Sequence, residues 1–168
     1  MTAARQERKS HRQAAIFAVL GLATVCWGLS SASFGAVTTE LVVVNRHTGL
    51  AIDGFDPVAY FVDAAPEIGR AGLELRHAGV SWRFRNEGNR AAFAADPDIY
   101  MPRFGGHDPI AVARGAAAPG HPRLWCIAGQ RLYLFYSETA RSAFLRNPDR
   151  AIEAAERHWP EVLRSLTR

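Results

Sequence analysis

The chain carries one sequence plan twice. Asp56-Pro57-Val58-Ala59 returns as Asp108-Pro109-Ile110-Ala111 after 52 positions, and Phe84, Asn86, Arg90, Phe93, Pro97 and Asp98 return as Phe135, Ser137, Arg141, Phe144, Pro148 and Asp149 after 51. Between these blocks Ala78-Gly79 aligns with Ala128-Gly129 after 50. Segments matching in this order, with one-residue drifts, identify an internal duplication with copies at about 54–98 and 106–149 and a further helix behind the second. Two copies are too few for a solenoid. Units that cannot bury their apolar faces alone pack face to face, and ligand sites favour such junctions. The duplication therefore predicts one folded body in which the two Asp-Pro corners approach each other.

Local patterning gives each copy the same elements. The run Leu41-Val42-Val43-Val44 is short, β-branched and apolar, and reads as a strand or buried lead-in. Asp56-Pro57 and Asp108-Pro109 read as N-caps followed by proline at the first helical position, where its missing N–H costs nothing. Leu73–His77 and Val80–Arg85 alternate apolar with polar around Ala78-Gly79, predicting a hairpin with Leu75, Trp82 and Phe84 on the buried face. Leu124–Ile127 and Leu132–Phe135 predict the second hairpin around Ala128-Gly129. Asn86 and Ser137 cap the helices that follow, and Pro148-Asp149 opens the last helix, with Ile152, Ala155, Trp159, Val162 and Leu166 on one stripe. The fold class is α+β, with two pseudo-repeated hairpin and helix units merging into one antiparallel sheet covered by helices.

The formal net charge of +4 belongs mostly to the N-terminus, where Arg5, Arg8, Lys9 and Arg12 are offset only by Glu7. With that arm set aside the charge falls near neutrality, which argues against nucleic acid as a partner. The basic arm precedes an apolar run, Ala14 to Leu29, and then Ser30, Ser31, Ala32 and Ser33. Residues 1–36 thus read as a signal peptide, or as an N-terminal membrane anchor if uncleaved. The expected location is periplasmic or secreted, with the membrane touched only through this segment. Residues 37–168 form the remaining domain. Of the two cysteines, Cys26 lies in the apolar run and Cys126 reads as a small buried hydrophobe on a strand.

Candidate site residues fall on the repeated corners and the loops of the second copy. Asp56 and Asp108, brought together with His107, can hold a hard or borderline cation or share a proton. Each acid is equally explained as a helix cap. His107 and His121 lie in Gly/Pro loops, where binding residues concentrate, but neither has the paired spacing of a zinc site. Arg90 and Arg141 recur beside aromatics and can clamp an anion through a bidentate fork, or pair along the helix with Glu87 and Glu138. Expected ligands of a metal are His107, Asp108 and His121; expected ligand-binding residues are Asp56, Arg90 and Arg141. No nucleophile arrangement emerges from the spacing.

The motifs "GFDPVAYF" (Gly54 to Phe61), "VSWRF" (Val80 to Phe84), "NRAAFAADPDIYMPRFGG" (Asn89 to Gly106), "LYLF" (Leu132 to Phe135) and "HWP" (His158 to Pro160) resemble bacterial exported YHS-domain proteins. Related modules sit beside metal-transport and metal-dependent oxygenase domains, so the resemblance implies metal handling by association. Many relatives place cysteine or selenocysteine after the "GG" and one further residue; here that position is Asp108, so thiolate chemistry does not carry over. The expectation is an exported binding module for a divalent transition metal or a small ligand at the repeat interface. The alternatives are a redox or metalloenzyme accessory working through a His/Asp acid–base pair, and a structural domain that docks a protein partner.

Overall fold

The structure, a computed structural model, describes residues 41–167. The signal or anchor reading of residues 1–36, and Cys26 with it, lies outside the described residues. Each copy opens with a single 3-10 turn, Ile52–Gly54 in the first and Arg103–Gly106 in the second. Short helices follow the Asp-Pro corners: α1 (Ala59–Val62) in copy one, and its counterpart Pro109–Val112 in copy two. Copy one continues through β1 (Glu74–His77), β2 (Val80–Arg83), α2 (Glu87–Ala95) and α3 (Pro97–Tyr100). In chain order the second copy is α4 (Pro109–Val112), β3 (His121–Ala128), β4 (Arg131–Phe135), α5 (Glu138–Arg146) and α6 (Pro148–Leu166).

The class is α+β as expected, but the hairpins do not merge. Among the described residues β1–β2 and β3–β4 are two separate two-stranded antiparallel sheets. The outer edge of β2 is closed by the segment before the first corner, where Leu50 bridges Ser81 and the Ala51 N–H donates to the Ser81 carbonyl at 2.9 Å. That edge is thus occupied by the chain's own lead-in and not by the other hairpin.

What joins the copies is β4. Leu132 and Leu134 point into the core of copy one, with Trp82, Phe84 and Phe93. Tyr133 and Phe135 point into the core of copy two, with Phe144, Ala155 and Val162. Successive strand residues face opposite sides, so a strand buried on both sides serves two cores at once. Each core repeats the same aromatic stack. The Phe93 ring lies 5.1 Å from Trp82 and 5.2 Å from Phe84, and the Phe144 ring lies 5.0 Å from Tyr133 and 5.2 Å from Phe135.

The second hairpin turn corrects the sequence alignment. Ala128 pairs with Arg131, so the turn is Gly129-Gln130, with both residues at positive φ (55° and 59°). It matches Ala78-Gly79, at φ 50° and 79°, which connects His77 to Val80. A two-residue turn of this hand needs positive φ at both positions. The true offset through the hairpins is thus 51, and the pairing of Ala78-Gly79 with Ala128-Gly129 was a coincidence of letters.

The valine lead-in links the two 3-10 turns. The Val43 N–H donates to the Gly105 carbonyl at 2.8 Å, and its own carbonyl accepts from Ile52 N–H at 3.1 Å. This close passage explains Gly105: a Cβ there would stand 1.8 Å from the Leu41 carbonyl oxygen. Substituting Leu134 with alanine is expected to cost about 2–5 kcal/mol. Because β4 belongs to both cores, urea unfolding of L134A should stay a single transition by fluorescence and by circular dichroism. Separate transitions for the two copies would show that β4 does not couple them.

Candidate functional site

Both corner aspartates are buried, and their carboxylates are engaged by their own copy. Asp56 Oδ1 accepts from the Val58 N–H at 2.9 Å, and Oδ2 accepts from the Arg85 N–H at 2.9 Å and from Asn89 Nδ2 at 2.7 Å. Asp108 Oδ1 accepts from the N–H groups of Ile110 (2.7 Å) and Ala111 (3.4 Å), and Oδ2 from the Tyr136 N–H at 2.9 Å. Each carboxylate therefore ties the start of a short helix to the backbone just beyond the second strand of its hairpin. A carboxylate with several N–H donors is a satisfied buried anion. The two share no hydrogen-bond partner, and the capping explanation accounts for both.

The copies differ in one side-chain donor. Asn89, which reaches Asp56, is matched after 51 positions by Ala140, which has none. The backbone around the corners otherwise repeats closely. The Asp56 N–H donates to the Glu67 carbonyl and the Asp108 N–H to the Ala118 carbonyl, both at 2.8 Å. Residues 52–54 and 104–106 all have positive φ, at 43°, 55° and 78° against 55°, 60° and 88°.

His107 is where the copies diverge chemically. It occupies the position of Phe55, with nearly the same backbone (φ −75°, ψ 148° against −70°, 149°) and the same kind of antiparallel bridge, to Pro119 as Phe55 bridges Ile68. Both side chains are buried, at 6% and 7% exposure. The imidazole lies 6.1 Å from the Trp159 ring of α6. It also forms part of the wall of a groove of about 700 Å³, together with Val42, Val44, Arg46, Pro119 and Leu166. That volume is in the range of small-molecule sites.

The other expected residues are placed elsewhere. His121 is exposed at the start of β3, and its Nδ1 accepts from the Arg123 N–H at 3.1 Å. Arg90 pairs with Glu87 at 2.7 Å. Arg141 pairs with Glu138 at 3.6 Å and donates from Nε to the Trp125 carbonyl at 2.9 Å. Neither arginine lines the groove. Among the described residues no group of three or more His, Cys, Asp or Glu side chains is gathered as a metal would require. His107, Asp108 and His121 are not gathered into such a group. The valines read in the sequence only as a strand or buried lead-in, and Arg46 carries no distinguishing signal as an arginine after an apolar run.

Burial pushes the Cys126 thiol up from 9.0 to about 11, opposed by the nearby Arg141 cation. Burial likewise raises the Tyr60 phenol, which donates to the Pro122 carbonyl at 2.9 Å and so ties copy one to copy two. Compared with known proteins, the chain matches no family model, no curated protein and no solved structure. Among the described residues no helix is long and apolar enough to cross a membrane.

Asp56→Ala strands a buried amide and two backbone N–H groups, and should cost roughly 2–4 kcal/mol. Asp108→Ala, whose third bond is long, should cost less; chemical denaturation of both variants orders them. For Cys126, a raised folded pKa means that its stability contribution is complete below pH 9 and is lost between pH 9 and about 11. At pH 8 the native thiol should alkylate on the order of 10–100-fold more slowly than in urea, read peptide by peptide by mass spectrometry.

Proposed function

We propose that this chain is an exported binding module, resembling the YHS-domain proteins, whose second copy holds a small ligand in the groove beside His107. One observation carries the reading: the duplicated backbone places an imidazole in the groove wall where the first copy has the benzyl ring of Phe55. A core position that only had to fill space would be served equally well by phenylalanine, as copy one demonstrates. Polar groups set among apolar side chains in a concavity are the usual composition of a small-molecule site. A metal is the weaker version, because the donors that would complete the set are absent or committed to backbone groups. The acid–base alternative pairs His107 with Asp108, whose carboxylate also caps its own helix through the Ile110, Ala111 and Tyr136 N–H groups.

The same comparison supplies the test. His107→Phe keeps a residue type that this backbone already accommodates at Phe55, so H107F should retain the parent's midpoint of unfolding within about 1 kcal/mol. Amide NMR spectra of the full chain, titrated with small acids, amines, alcohols and Zn²⁺, should show ligand-induced shifts at Val43, His107 and Leu166. Those shifts should be lost in H107F. Shifts confined to other surfaces, or a variant that binds like its parent, would defeat the reading.

A further inference from the structure

The charges in the groove wall select the kind of ligand, given that the groove is a binding site as argued above. Among the described residues the wall contains one guanidinium, Arg46, and one imidazole, His107, and no carboxylate. Arg46 is exposed and makes no ion pair among the described residues, whereas Arg103, at the opening of the second copy, is paired with Glu156. The other wall residues are uncharged, and all but Ser165 have apolar side chains. Among the described residues, a concavity lined by basic residues and no acidic one disfavours cations, and its apolar side chains leave a strongly polar neutral molecule with lost hydration.

We propose that the groove takes an amphiphilic monoanion, a carboxylate on an apolar body, with the carboxylate at Arg46. The planar guanidinium matches a carboxylate through two parallel N–H donors. The apolar body lies over Val42, Val44, Pro119 and Leu166. The end of α6 fixes the direction. Its last carbonyls carry partial negative charge, and they are only partly covered, by Ser165 Oγ donating to the Val162 carbonyl at 2.7 Å and by Thr167 Oγ1 donating at 3.3–3.4 Å to those of Arg164 and Leu163. That end disfavours the carboxylate.

The test uses three probes of one chain length, octanoate, octan-1-ol and octylammonium, titrated into the full chain and followed through the groove amides. Octanoate should bind about fivefold or more tightly than octanol, with octylammonium weakest. In R46Q the octanoate advantage should vanish while octanol is unchanged, and added salt should shrink it in the parent, as screening of an exposed charge requires. Octanol or octylammonium binding in the groove as tightly as octanoate would overturn the anion preference and leave the groove itself standing as a site. Octanoate preferred equally by the parent and R46Q would overturn the assignment to Arg46. No groove perturbation by any of the three would overturn this inference together with the reading beneath it.

Discussion

One five-residue strand, β4, ties the two halves of this domain together, because its alternating buried residues divide between the two cores. Leu132 and Leu134 complete the first core; Tyr133 and Phe135 begin the second. Burial of both faces of one strand couples two small cores that would each be marginal alone, since small units bury too little surface to offset chain entropy. The contact of Tyr60 with the Pro122 carbonyl, and of its ring with Trp125 at 5.3 Å, adds a second seam between the copies. Hydrogen bonding between the hairpins is not needed, and the two sheets stay separate.

Around that constraint the duplicated backbone is nearly invariant while its side chains have diverged. The strained turns, the acid caps, the aromatic triads and the helix caps at Asn86 and Ser137 all recur. Glycine recurs for the same steric reason at Gly69 and Gly120, where a Cβ would come within 2.6 Å of Arg83 and of Leu134. Against this background the substitutions stand out. Asn89 gives way to Ala140, Phe55 to His107, and the one-turn α3 to the 19-residue α6. The last two lie at the groove: His107 is part of its wall and α6 contributes Leu166.

Much of this was legible in the chain. Proline after aspartate, asparagine or serine ahead of a helix, and period-two alternation are local signals, and they located the corners, caps and hairpins. The stripe of α6 was equally plain, since its moment faces the second core through Ala155 and Val162. The pairing of Arg90 and Arg141 with glutamates three residues earlier also follows from helical spacing alone. The misread turn at Gly129-Gln130 shows the limit of this kind of evidence. Letters matched one residue out of step, and only the backbone requirement for two positive φ values fixes the register.

The sequence by itself determined that there are two copies, what elements each contains and which residues cap them, because those properties depend on neighbours within a few positions. Only the tertiary structure decided which surfaces meet. It closed the edge of β2 with Leu50, and it ran the Val42–Val44 segment between the two turns. It brought Arg46, His107 and Leu166 to one groove from positions more than a hundred residues apart along the chain. Such proximity depends on how two cores pack across a shared strand, a nonlocal balance that no short pattern of residues encodes.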